Sequence, residues 1–284
     1  MKEIAILTDS TSDLSEELLK KYEIIRFPLH IHLGEKEYSD GIDILPQDIY
    51  DWSEQTKETP KTSAISLDTA MKYLKKGLEE AKEVICFCIS ESMSSCYSIM
   101  QMAVQEMEVE NKVHVIDSAN LSTGIGLLII ETAEMIKEGK ATAEILEKIE
   151  EMKPKVRSSF VVDTLTYLHR GGRCSGAAAL AGNTLKIHPS IHVEGGKMHP
   201  GKKYRGKMEK VILNYVEDME EGLKRAKKDH LFITHSGCSE ELLQKVREVV
   251  EEKASFSNLY ITRAGGVISS HCGPGTLGVL YVEE

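Results

Sequence analysis

Cysteines are scattered and poorly spaced for metal or disulfide work. The 284-residue chain has 6 cysteines (Cys86, Cys88, Cys96, Cys174, Cys238 and Cys272), and no two of them form a CxxC pair. That argues against a structural zinc site, and the expectation is a reduced cytoplasmic protein with buried thiols. Aromatic residues are few, at 6% with a single Trp, so aliphatic side chains and the 11 methionines must fill the interior. No run approaches the roughly 18 consecutive apolar residues of a membrane span, and MKEIAILTDS at the start lacks the apolar core of a signal peptide. No stable membrane insertion is expected. Net positive charge is also missing: 45 acidic residues against 35 basic ones give −10, which disfavours nucleic acid and anionic lipid as non-specific partners. The GxSxG, GxxxxGK[ST] and HExxH signatures are absent, as is a GxGxxG after the first strand.

What is present is an alternation of strand and helix signals, broken near Lys153 to Arg157. The fold expected is two α/β domains, residues 1–156 and 157–284, the first a mostly parallel sheet with helices on both faces and the second a mixed sheet with helices. In the first, the run EIAILT ends in DSTSDLS, so Asp9, Ser10, Thr11 and Ser12 stand where an open sheet places ligand contacts, unless they serve only as caps and turns. Hydroxyls gather again before a helical pattern at Pro60 to Ser66, and a third time after the strand VICFCI, at Ser90, Ser92, Ser94 and Ser95. Such clusters suit an anion at a helix N-terminus, and capping accounts for part of them. Gly124 and Gly126 interrupt an apolar helix, which signals close packing against its backbone. His30 and His32 share a strand face, as do His188 and His192, with no third ligand spaced for a metal.

In the second part, Gly176, Ala177, Ala178, Ala179, Ala181 and Gly182 suggest a small-residue helix, and Gly195-Gly196 a hairpin turn. Lys202, Lys203, Arg205 and Lys207 form a basic patch that reads as a helix start. The stretch RAGGVISSHCGPGTLGVL at 263–280 places His271 among Gly and Pro residues, as on a rigid loop, with Gly265 and Gly266 suited to positive φ. Ser269, Ser270 and Thr276 add hydroxyls without a carboxylate, a set better suited to gripping an oxyanion than to making a nucleophile. A plain polar turn is the simpler alternative. A Ser/His-dependent hydrolase or phosphotransferase using Ser94, His271 and Asp9 or Asp117 also remains open, although no spacing selects it.

Six motifs in order, TDSTSDL at 8–14, SDGID at 39–43, PKTS at 60–63, IDS at 116–118, VDTLTYLHRGGR at 162–173 and GGVISSHCGPGTLG at 265–278, make the chain resemble the DegV family of bacterial fatty-acid-binding proteins. The resemblance implies a carrier, not an enzyme, that holds a long-chain fatty acid between its domains and presents the carboxylate to a separate fatty acid kinase. It implies no cofactor and no metal. By motif position Thr62 and Ser94 would bond the carboxylate, with Ser63, Ser95 and His271 close by, while Arg173 and Arg205 would serve the kinase or the phosphate. Ser94-Ser95-Cys96 departs from the family's usual Ser-Gly-Thr, and Ala64-Ile65 from its Gln-Pro or similar pair.

Overall fold

The computed structural model describes residues 1–174 and 187–284. The first part runs β1 (Lys2–Asp9), α1 (Glu16–Lys21), β2 (Ile25–Phe27), β3 (His30–Leu33), β4 (Lys36–Ser39), α2 (Pro46–Thr56), β5 (Lys61–Ser63) and α3 (Leu67–Glu80). It continues with β6 (Ala81–Cys88), α4 (Cys96–Glu106), β7 (Val113–Asp117), α5 (Thr123–Lys137) and α6 (Thr142–Met152). The second part contains β8 (Val156–Val161), α7 (Thr166–Gly171), β9 (Ile187–Glu194), β10 (Lys197–Arg205), α8 (Met208–Glu217) and α9 (Glu220–Arg225). It closes with β11 (Ala226–His235), α10 (Glu240–Lys253), β12 (Asn258–Arg263), α11 (Gly266–Cys272) and β13 (Leu277–Glu283).

Strands β2-β1-β6-β7 form a four-stranded, wholly parallel sheet. Strands β10-β9-β8-β13-β11-β12 form a six-stranded mixed sheet in which β11 and β12 pair in parallel and the other neighbours antiparallel. This is the α/β architecture expected from the alternation. The six-stranded sheet is buried on both faces. Along β11, Phe232 joins the core shared with the parallel sheet, while Leu231 and Ile233 join a second core with Val211, Val246 and Val250 under α8 and α10. The period-2 alternation of a strand produces that split.

Helix α5 joins the two larger sheets, touching β1 and β6 as well as β8, β11 and β13. Its glycines explain how it fits so closely. A methyl group on Gly124 would run into Asn120 Oδ1 and Ser158 Oγ, and one on Gly126 would lie 2.8 Å from Leu14 Cδ2. Helix α3 lies on the parallel sheet for the same reason, since a methyl on Gly77 would be 2.9 Å from both Leu7 Cδ1 and Val84 Cγ2. Ser66 caps α3 by accepting the Thr69 N–H.

Three expectations from the sequence need correction. Thr62 and Ser63 lie on a strand, because β5 pairs with β3 in a small antiparallel sheet β4-β3-β5, with Ile31 opposite Thr62. A three-residue strand is too short to show periodicity. The patch Lys202, Lys203 and Arg205 lies on edge strand β10, and α8 starts only at Met208. Pro200 and Gly201, at a shift in register, hide the strand's alternation, and edge cations discourage further pairing. His271 sits on helix α11, and Gly265, with φ −67°, caps it in an extended conformation. The expected small-residue helix at Gly176 to Gly182 lies outside the described residues.

Candidate functional site

A cavity of about 300 Å³ opens where β5, the loop after β6 and α11 converge. Thr62, Ser63, Ser94, Ser95, His271 and Arg173 all line it, so six of the seven site residues implied by the family resemblance are brought together. Arg205 is not among them; it ends β10, exposed and paired in register with Ile187. The remaining wall is mostly apolar, with Leu29, Ile89, Met93, Leu121, Met198 and Ile268. No periodicity or motif marks these wall residues as a set, since they come from five separate segments. Past Leu121, Ile268 and Cys272 the lining continues into a narrow apolar hollow bounded by Phe160 and Leu280.

The polar end is built around one contact. Thr62 Oγ1 and His271 Nε2, 209 residues apart in sequence, lie 2.8 Å from each other. The opposite ring nitrogen, Nδ1, is buried with no hydrogen-bond partner among the described residues. It faces Gly171, where a methyl group would strike the ring, lying 3.1 Å from Cε1. Burial and the nearby Arg173 charge lower the His271 pKa to about 4, so the ring is neutral at pH 7. A neutral imidazole carries one proton. With that proton on Nδ1, a buried donor would be stranded and the Thr62 hydroxyl would be spent on Nε2. With it on Nε2, the ring donates to Thr62 Oγ1 and frees the Thr62 hydroxyl hydrogen for the cavity; this tautomer leaves no ring N–H stranded.

Ser94 Oγ accepts the Cys96 N–H at 3.2 Å, and its own hydrogen has no acceptor among the described residues. Ser94 and Ser95 immediately precede α4, whose first amides favour negative charge. Ser63 Oγ lies 2.9 Å from His32 Nε2. Arg173 is held at the cavity mouth by Nη1 donating to Gly171 O at 2.7 Å and Nε to Met93 O at 3.3 Å. The arrangement offers hydroxyl donors and a guanidinium to an anion, backed by apolar walls.

Other residues singled out from the sequence are engaged elsewhere. Ser269, Ser270 and Thr276 are buried and donate to the carbonyls of Ala264, Gly266 and Cys272, so none is free to grip an anion. Asp9, Ser10, Thr11 and Ser12 are buried and do not line the cavity. Among the described residues no carboxylate hydrogen-bonds His271. Asp117 accepts the Glu91 and Ala119 N–H groups, and Asp9 accepts from Thr11 and Ile89. His188 lies within hydrogen-bond distance of the carbonyls of Asp163 and Gly206.

One group with metal-ligating atoms in reach of one another is Asp9, Cys88 and Cys96, all within 4.8 Å and fully buried. Both Asp9 oxygens already accept backbone donors, and burial pushes the Cys96 thiol up to about 11. A roomier hollow of about 810 Å³ lies beside α6, β8 and β9. Its lysine and arginine are already paired, Lys153 with Glu150 at 2.9 Å and Arg157 with Glu283 at 2.5 Å.

No helix among the described residues is long and apolar enough to cross a membrane. Comparison with known proteins gives a consistent result. A family model described as an uncharacterised protein of the DegV family matches residues 3–284. A DegV domain-containing protein of Caldanaerobacter subterraneus is 31% identical over 286 residues, covering 100% of both chains. Among solved structures, a fatty-acid-binding DegV family protein from Thermus thermophilus superimposes with TM-score 0.91 at 28% identity, covering 99% of this chain and 100% of that one. A stearic-acid-binding protein from Eubacterium ventriosum gives TM-score 0.86 at 25% identity, covering 100% and 98%.

Proposed function

The chain belongs to the DegV family, and on that premise we propose that it binds a long-chain fatty acid and presents the carboxylate to a fatty acid kinase. The observation that carries this reading is the Thr62–His271 pair at the polar end of an otherwise apolar cavity. Thr62 and Ser94 donate to the carboxylate, supported by Ser63, Ser95 and His271. Arg173 and Arg205 meet the kinase or the phosphate it transfers. Residues 1–156 and 157–284 act as the two domains that enclose the ligand. The protein itself performs no chemistry and needs no cofactor.

Energetics favour a tightly retained ligand. Each buried methylene contributes roughly 0.8 kcal/mol, so a sixteen-carbon tail gains on the order of 10 kcal/mol before ordering costs. Burying the carboxylate costs several kcal/mol unless donors meet it, which is why a hydroxyl pair must stand at the polar end. The test is extraction of the purified protein followed by mass spectrometry. Fatty acid in near-equal molar amount is expected; its absence, together with failure to bind added palmitate, would refute the reading.

A further inference from the structure

The polar turn that follows β1 makes contacts that bear on the cavity without reaching it. None of Asp9, Ser10, Asp13 and Asp40 lines the cavity, and all four are buried. Each is nonetheless bonded to the backbone of a segment that lines the cavity or leads into its wall. Asp9 Oδ2 accepts the Ile89 N–H at 2.7 Å, at the start of the loop that carries Ser94. Ser10 Oγ accepts the Leu29 N–H at 3.2 Å and donates to Asp40 Oδ2 at 2.8 Å. Asp40 accepts the N–H groups of Gly266 and Val267 at 2.7 and 3.2 Å, and Asp13 accepts that of Gly265 at 2.8 Å.

The last three amides begin α11, where a helix supplies no acceptors of its own. His271 stands at the other end of the same short helix. The seat is tight. A methyl group on Gly266 would lie 2.5 Å from Ile31 Cδ1 and 2.8 Å from Asp40 Oδ1, so the carboxyl reaches the amides only because residue 266 has no side chain. Ordinary capping needs one side chain from the residue before the helix. Here two carboxyl groups from distant segments converge on one helix end, and the same cluster fixes Leu29 and Ile89 as well.

We infer that Asp9, Ser10, Asp13 and Asp40 form a positioning hub that fixes where His271 stands relative to Thr62 and Ser94. This deepens the carrier reading and rests on it for its link to ligand affinity. Asp40 is the sharpest place to test it, because both of its oxygens receive donors. Asparagine has the same shape but turns an NH2 toward the Val267 N–H, setting donor against donor.

The experiment compares wild type with Asp40→Asn by palmitate titration and by NMR titration of the His271 ring, the ring signal being assigned by its loss in His271→Gln. The Kd for palmitate is expected to rise at least about tenfold. The ring, released from its walled position, is expected to titrate closer to the ordinary value of about 6.5 than to the present value of about 4. Unchanged Kd and unchanged ring titration would overturn the inference. Should Asp40→Asn fail to fold, Ser10→Ala decides in its place, since it removes the links to Leu29 and Asp40 while keeping every carboxyl; an unmoved ring then rejects the hub. Should wild type bind no fatty acid, the carrier reading falls and the ring titration still decides whether the hub positions His271.

Discussion

Replacing Thr62 by valine keeps the branched shape on β5 and removes only the hydroxyl, so it isolates the head-group contact from the tail. A hydrogen bond to a charged group contributes about 1.5–3 kcal/mol, which corresponds to a roughly 10- to 150-fold rise in Kd. Binding survives the change, since a tail worth on the order of 10 kcal/mol gross would be buried equally in both proteins. One feature of the structure favours the lower end. The His271 Nε2 proton, now lacking its partner at 2.8 Å, can turn to the carboxylate instead. The free protein has no such relief, and an unpaired buried donor should lower its stability by about 1 kcal/mol or more. Isothermal titration with palmitate and with hexadecanol reads the first effect, and urea denaturation of the delipidated protein the second. Palmitate should lose more affinity than hexadecanol, because only the acid brings a charge. Equal losses for acid and alcohol, or none, would refute the assignment of Thr62 to the carboxylate.

Three further outcomes follow from the same geometry. Gly171→Ala places a methyl against the His271 ring and should weaken palmitate binding while costing about 1–3 kcal/mol of stability, read by titration and thermal unfolding. Gly124→Ala should destabilise by a similar roughly 1–3 kcal/mol, even though alanine is about 1 kcal/mol the better helix former, because the methyl displaces the 2.6 Å Ser158–Asn120 hydrogen bond; urea denaturation decides which effect wins. Stability should also depend on pH with two opposing slopes. Unfolded His271 takes a proton below about 6.5 and the folded ring only near 4, so its contribution falls as pH drops through that window, by on the order of 2–3 kcal/mol. Asp13 has the opposite sign. Burial raises its carboxyl to about 8, so stability falls as pH rises from about 4 to 8. Denaturation curves of His271→Gln and Asp13→Asn from pH 4 to 8 should each show the corresponding slope reduced, the remainder coming from His230 and His235, which burial also lowers, and from Asp9 and Asp40, which burial also raises.

The fold was legible where runs were long. Apolar β1 and β6 and the hydrophobic α5 announce a parallel sheet with covering helices, and the glycines of α5 mark its close packing. The site was legible mainly through motif resemblance. Composition alone suggested hydroxyls near strand ends, and that logic overcounted. Ser269, Ser270 and Thr276 look like ligand donors in sequence, yet a serine or threonine in or just after a helix can spend its hydroxyl on a carbonyl four residues earlier, as Ser270 and Thr276 do. Asp13 and Asp40, though inside the family motifs, are given no role at the site by the sequence for the reverse reason. Their partners are the backbone amides of residues 265–267, and a backbone amide leaves no trace in the identity of the residue that carries it.

The cavity's two ends differ in a way that suits presentation more than storage. Leu29, Ile89, Met93 and Ile268 along the apolar wall are buried, whereas Ser63, Ser95 and Arg173 at the polar end are exposed. A store protects the whole ligand; a carrier that serves a kinase must leave the carboxylate within reach of a second active site. On the proposed function, charge accounts for how the carboxylate would stay there. His271 is neutral, so the polar end would hold the anion through hydroxyl dipoles and one mouth arginine, without a buried full charge pair that would be costly to separate. A protonated His271 would tighten the carboxylate and make its release to the kinase slower. Measured kinase turnover of the bound acid should therefore fall in a His271→Lys variant even where palmitate binding is retained or strengthened, and turnover that rises with the added charge would show that the neutral ring is not what permits hand-over.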